Sequence, residues 1–152
     1  LDADFNRPQI ASKLGIEAAY NWQDAANGKV PLSEAAVKSL LDNITVLPPD
    51  VSPAPSRLTL ADPRVTSIIR KASASFDLVV TDLGPVVSSD ELNLPPGESC
   101  PFDAAIVVRD LRFASGAESV WVGEALYDAG IDAVGIAENF VVEDVTGTVV
   151  RS

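Results

Sequence analysis

Apolar and polar positions alternate along the chain in blocks that predict strands separated by helices. Residues 76–81 form a short apolar run that ends at Asp82 and is followed by a Gly-Pro turn. Such a run predicts a strand buried on both faces, as in a parallel sheet. Residues 44–47, 104–108 and 133–136 predict further strands. Strands that alternate with helices indicate an α/β fold, a parallel sheet with helices on both faces.

The clearest predicted helix follows Asp62 and Pro63, an N-cap and a first-turn proline. Its apolar positions recur at helical spacing, at Val65, Ile68, Ile69 and Ala72. A second predicted helix follows the capping-box pair Ser115 and Glu118 and ends at Gly130. Its apolar stripe consists of Val122, Ala125, Leu126 and Ala129.

Weaker patterns predict the remaining elements. Ser33 is expected to cap a helix with an apolar inner face of Ala36, Val37, Leu40 and Leu41. Short helical turns are expected near residues 8–14 and 20–26. Residues 1–4 read as the end of a strand, and residues 141–149 as a further strand.

Composition and charge indicate which kinds of fold, partner and site this chain can have. A chain of 152 residues with 47% hydrophobic residues predicts a single packed domain. The net charge of −11 argues against nucleic acid or an anionic membrane as partner. The sequence has no histidine, which excludes catalytic triads that depend on histidine. Cys100 is the only cysteine and cannot form an internal disulfide, which fits a reducing cytoplasm. No apolar run reaches the ~20 residues that cross a bilayer.

Asp82 is the first candidate for chemistry. Ligands of open α/β sheets bind beyond the carboxyl ends of the strands, where Asp82 is predicted to lie. An aspartate in that place can hold Mg²⁺ beside a nucleotide. The alternative is that Asp82 only caps the strand and starts a turn.

Five short motifs, in order, resemble the cytoplasmic ATPase domain of the bacterial tyrosine kinases. That family includes capsular and exopolysaccharide chain-length proteins, and its P-loop superfamily also contains the septum-site and partition ATPases. Residues 1–8, LDADFNRP, resemble the second Walker box, and residues 82–85, DLGP, resemble Walker B. The other similar segments are residues 14–28, residues 107–109 and residues 135–139.

The resemblance implies roles for five residues and a set of partners. Asp4 and Asp82 would hold Mg²⁺, Asp2 would polarise an incoming hydroxyl with Asp82 as the second catalytic residue, and ATP would bind near Arg109 and Asn139. The implied partner is a membrane-anchored polysaccharide chain-length protein or the chain's own upstream segment. A homo-oligomer is a further option, and neither nucleic acid nor direct membrane insertion is expected. Acidic strand ends for Asp2 and Asp4, and a turn for Asn139, remain as alternatives.

Several departures from the family pattern are visible. The sequence has no Gly-x-x-x-x-Gly-Lys-Ser/Thr motif, so a P-loop is expected before Leu1 and residues 1–152 are read as one partial domain. Asn6 replaces an arginine, and the family's tyrosine cluster is absent. Two hypotheses follow: an Mg-ATP-binding domain of a polysaccharide biosynthesis or export kinase-like protein, or a non-catalytic regulatory module of the same fold.

A missing P-loop strand would leave an edge of the predicted 76–81 strand without a partner. Unpaired buried backbone groups are costly, and an open apolar edge is a template for another chain. We therefore expect an upstream segment, a second copy or residues 141–149 to cover it. A strand bare on one edge and exposed to solvent would contradict this expectation and weaken the family resemblance.

Overall fold

The computed structural model describes residues 1–51, 58–86, 92–113 and 116–140. The chain is a mixed α/β protein that divides into two compact units, Leu1–Pro95 and Pro96–Ser152. One two-stranded sheet is antiparallel and the other is parallel. The predicted α/β class and the presence of parallel pairing are confirmed at this level.

In the described residues of the first unit, the α-helices are α1 (Ile10–Lys13), α2 (Trp22–Ala26) and α3 (Pro63–Ser73). The α3 helix begins as predicted, with the Asp62 carboxylate accepting the Arg64 backbone N–H at 2.9 Å. Its predicted stripe is buried: Val65, Ile68, Ile69 and Ala72. The α2 helix begins with a capping box between Asn21 and Asp24. The two short helical turns are therefore also confirmed.

The predicted helix after Ser33 is wrong. This part of the chain forms an antiparallel hairpin of β1 (Val37–Lys38) and β2 (Thr45–Val46). Leu40 and Leu41, expected on an inner helix face, lie at the tip of the hairpin and are 95% and 94% exposed.

Hydrogen bonds at the hairpin tip explain the difference. The Ser39 hydroxyl oxygen accepts the backbone N–H groups of Leu41 and Asp42, both at 3.3 Å. The Ser39 backbone N–H donates to the Ile44 carbonyl at 2.8 Å, and Asn43 has a φ of 53°. Serine hydroxyls and a left-handed residue stabilise turns in competition with helix.

The amino-terminal residues run between two other extended segments. Asp2 and Asp82 form a parallel bridge. On that side the Asp82 N–H donates to the Leu1 carbonyl at 2.9 Å, and the Ala3 N–H donates to the Asp82 carbonyl at 2.7 Å. On the other side the Asp2 N–H donates to the Leu47 carbonyl at 3.3 Å. The prediction that residues 1–4 end a strand agrees with this pairing.

The buried strand predicted at residues 76–81 is wrong. Leu78 and Val80 are 80% and 69% exposed, and only the end of this segment pairs, with residues 1–3. Apolar composition favours a strand, but the side chains of a strand become buried only where other elements cover the faces of its sheet. Among the described residues, no backbone hydrogen bond reaches the other edge of this segment. That an upstream segment or a second copy covers this edge stays a prediction. Residues 141–149, one of the expected covers, lie outside the described residues.

The second unit is a βαβ arrangement. β3 (Ala104–Asp110) and β4 (Ala133–Asn139) pair in parallel, from Ala104 opposite Ala133 to Asp110 opposite Asn139. The connecting helix α4 (Gly116–Asp128) buries Val122 and Leu126 and ends before Gly130, whose φ is 90°.

Two details of the second unit differ from the prediction or lie beyond the description. β3 is not buried on both faces, because Ile106 and Val108 are exposed on one of them. The predicted cap Ser115 lies outside the described residues.

Candidate functional site

The parallel bridge in the first unit brings the segments that carry the predicted aspartates together. Asp2 and Asp82 are opposite each other in the bridge, and both segments continue from there into turns. Asp4 lies two residues further along, and its carboxylate is directed against Gly84 in the turn after Asp82. Three aspartates that are far apart in the sequence thus meet at the carboxyl ends of two parallel segments.

The Asp2 carboxylate is fully buried and both of its oxygens accept hydrogen bonds. Oδ1 accepts the Asp4 N–H at 3.2 Å, and Oδ2 accepts the Ile10 N–H at 3.0 Å. The Trp22 Nε1–H donates to the Asp2 carbonyl oxygen at 2.8 Å. The Asp2 side chain therefore connects the end of the first segment to the start of α1, and its predicted role in polarising a hydroxyl stays a prediction.

The Asp4 carboxylate is nearly buried and stabilises the turn that follows it. Oδ1 accepts the backbone N–H groups of Asn6 at 2.9 Å and Arg7 at 2.8 Å. Among the described residues, no donor to Oδ2 is present. Asp4 therefore keeps one carboxylate oxygen for another partner while the other oxygen fixes its orientation.

Asp82 is exposed and belongs to a tight turn. Its Oδ1 accepts the Gly84 backbone N–H at 3.0 Å, and Gly84 has a φ of 74°. This hydrogen bond is what the turn interpretation of Asp82 predicts. It is also compatible with a ligand role, because it leaves Oδ2 of an exposed carboxylate accessible.

Asp2, Asp4 and Asp82 do not by themselves form an all-protein metal site. Within the described ranges, no group of three or more His, Cys, Asp or Glu side chains is arranged to hold a metal ion. Mg²⁺ is commonly held by one or two carboxylates and completes its shell with water and substrate phosphates. Asp4 and Asp82 supply two carboxylates of that kind, whereas Asp2 has both oxygens engaged.

Arg109, predicted to contact the cofactor, lies near the carboxyl end of β3 in the second unit. Its Nη2 forms an ion pair with Glu138 Oε1 at 3.0 Å, between residues that are opposite each other in the sheet. Its Nε is buried and has no hydrogen-bond partner among the described residues. The guanidinium charge is therefore balanced within the sheet, and one of its donors is unsatisfied.

Asn139, the other predicted cofactor contact, is the last residue of β4 and is exposed. Its Oδ1 accepts the Phe140 N–H at 2.9 Å, and its carbonyl accepts the Leu111 N–H at 3.2 Å. Both contacts belong to a strand end and a turn, so the turn interpretation explains them. A contact between Asn139 and a nucleotide base stays a prediction.

Sequence reasoning did not identify Arg112, which contacts Asp110, Phe113 and Phe140 in the second unit. Its guanidinium donates to both oxygens of Asp110, at 3.0 Å and 2.7 Å, and this contact lowers the pKa of Asp110 below its ordinary value. The guanidinium carbon lies 3.3 Å from the Phe140 ring centroid and 5.1 Å from that of Phe113. The sequence does place Asp110 two residues before Arg112, just after the strand predicted at residues 104–108, and this spacing could have indicated the ion pair.

Comparison with known proteins gives no family assignment. No protein-family model matches the chain, and no curated protein matches its sequence. In the described part of the chain, no helix is both long enough and apolar enough to cross a membrane.

Proposed function

We propose that this chain is the Mg²⁺-dependent nucleotide-binding domain of a tyrosine-kinase-like protein of polysaccharide biosynthesis or export, with a P-loop-type fold. The observation that carries the proposal is the parallel bridge between Asp2 and Asp82. It joins the two segments that resemble the second Walker box and Walker B. Nothing local to either segment requires them to be neighbours, since the bridged residues Asp2 and Asp82 are 80 positions apart in the sequence (82 − 2).

Within this proposal Asp4 and Asp82 hold the cation. Bound Mg²⁺ would neutralise charge on the transferred phosphoryl group, the main requirement of phosphoryl transfer. The chain's own contribution is to fix two carboxylates at the ends of hydrogen-bonded segments, where they need little reorganisation. The printed sequence has no P-loop motif. The donors for the phosphates must then come from elsewhere, and we expect the chain alone to bind Mg-ATP more weakly than micromolar.

A non-catalytic module of the same fold is the second candidate, and the state of Asp2 favours it. A carboxylate that is fully buried, with both oxygens accepting backbone N–H groups, cannot reach a substrate hydroxyl unless those bonds break. Such a module would retain the cation-holding pair Asp4 and Asp82 but not turnover. Cation and nucleotide binding without phosphoryl transfer is its signature.

The proposal is tested by Asp82→Asn in the natural full-length protein, with Asp77→Asn as the control. Both residues are exposed and lie five positions apart, but only Asp82 is in the proposed site. We expect Asp82→Asn to weaken Mg-ATP binding about ten- to a hundred-fold by calorimetry, and the control to leave it unchanged. Unchanged affinity and turnover in Asp82→Asn would remove Asp82 from the site. Binding without turnover in the wild-type protein would favour the non-catalytic module.

A further inference from the structure

We infer that Gly84 is a positioning residue of the proposed cation site. The lack of a side chain at residue 84 allows the Asp4 carboxylate to lie beside the turn that follows Asp82. This inference rests on the proposed function, because it concerns the two carboxylates assigned to the cation.

The evidence is steric. A Cβ built on Gly84 would lie 2.5 Å from both Cγ and Oδ2 of Asp4 and 2.9 Å from Oδ1. Carbon atoms of side chains essentially never approach another non-bonded heavy atom more closely than 3.0 Å. Any side chain at residue 84 therefore displaces either the Asp4 carboxylate or the turn.

Both parts are held by hydrogen bonds, so neither moves freely. Asp4 Oδ1 accepts the N–H groups of Asn6 and Arg7, which fix the carboxylate over its own turn. The Gly84 N–H donates to Asp82 Oδ1, which fixes the second turn. Moving Asp4 breaks the first set of bonds, and moving the turn shifts Asp82. In both cases the relation between the two carboxylates changes.

Two other glycines separate this steric effect from backbone strain. Gly15 and Gly28 have φ values of 64° and 72°, close to the 74° of Gly84, but a Cβ on either would meet nothing within 4 Å. An alanine at any of the three positions adopts an unfavourable left-handed conformation. Only an alanine at residue 84 also collides with a carboxylate. Gly28→Ala is therefore a matched control.

The first test measures Mn²⁺ binding to the whole chain by electron paramagnetic resonance of the free ion. We expect Gly84→Ala to weaken binding about ten- to a hundred-fold, the usual effect of disturbing residues that orient metal ligands. Gly28→Ala should bind as the wild type does. If Asp82→Asn weakens Mn²⁺ binding but Gly84→Ala does not, the inference is wrong and the proposed function stands.

The second test is a double-mutant cycle that needs no cation. Asp4→Ala removes the atoms with which the new Cβ would collide. We expect Gly84→Ala to lower the urea midpoint more in the wild-type background than in the Asp4→Ala background, where only backbone strain remains. Equal losses in the two backgrounds would overturn the inference. A clear coupling in a chain whose Mn²⁺ binding is insensitive to Asp82→Asn would keep the contact but refute the proposed function.

Discussion

Replacing Trp22 by phenylalanine tests whether the candidate site depends on the core beneath it. Trp22 is fully buried at the start of α2, and its Nε1–H donates to the Asp2 carbonyl oxygen at 2.8 Å. Its ring meets that of Phe5 edge to face, with centroids 5.9 Å apart and planes at 69°. Phenylalanine keeps an aromatic ring at this position but removes the donor and several buried atoms.

Two losses add up in this variant. Leaving the Asp2 carbonyl without its donor costs about 1–3 kcal/mol if the oxygen stays buried. The smaller ring leaves a cavity, which costs a further ~1 kcal/mol or more, given that complete truncation of a buried aromatic costs about 3–5 kcal/mol. We therefore expect Trp22→Phe to lower the free energy of unfolding by about 2–4 kcal/mol, a large share of the about 5–15 kcal/mol of a typical domain.

Urea unfolding followed by far-ultraviolet circular dichroism measures this loss. The control is Trp121→Phe, the same chemical change at a partly exposed residue of α4. The control should lose less than about 1 kcal/mol, since less of the side chain is buried. If the two variants lose the same free energy of unfolding, the hydrogen bond from Trp22 to the Asp2 carbonyl contributes nothing to stability. The conclusion that Trp22 holds the backbone at Asp2 in place would then be wrong.

Two further predictions concern the surface. The double variant Leu40→Ser/Leu41→Ser should change the unfolding free energy by less than about 0.5 kcal/mol in the same urea assay, because both side chains are exposed. The control Ile68→Ala removes a buried side chain and should lower the unfolding free energy by about 2–5 kcal/mol. A large loss in the leucine variant would contradict the hairpin. Hydrogen bonds from Arg64 lower the pKa of Asp62, so the stability that Asp62 contributes is present above the ordinary carboxyl pKa and is lost as the pH falls through the lowered value. Acid titration of unfolding should show this component in the wild type and not in Asp62→Asn, and identical pH profiles would refute it.

Elements with local end signals could be predicted from the sequence. The α3 helix begins at Pro63 after the Asp62 cap, and its buried stripe repeats at helical spacing. The α4 stripe and the stop at Gly130 follow the same logic. These signals lie within one or two turns of the element that they define, so a single sequence contains them completely.

The strands at residues 104–108 and 133–136 were predicted and form β3 and β4, but two other segments that depend on distant partners were not predicted correctly. The spacing of residues 36–41 suits a helix, yet Val37 pairs with Val46 across a turn that Ser39 stabilises. Residues 76–81 have the composition of a buried strand, but only their end finds a partner, in residues 1–3. Burial of a strand depends on its neighbours, and local composition carries no information about which neighbours are present.

The candidate site also combines features that the sequence predicts with features that depend on contacts from distant residues. The resemblance assigned Asp4 and Asp82 to one cation and Asp2 to a substrate hydroxyl, and the rule for carboxyl ends of strands singled out Asp82. Which of them remains accessible depends on backbone donors contributed by Ile10 and Gly84, and no motif includes those contacts. The three aspartates are equal in sequence but not in structure, since Asp2 is committed to the fold. Asp4 and Asp82 each engage only one carboxylate oxygen with backbone donors of the described residues, and for this reason the proposed cation site is assigned to them and not to Asp2.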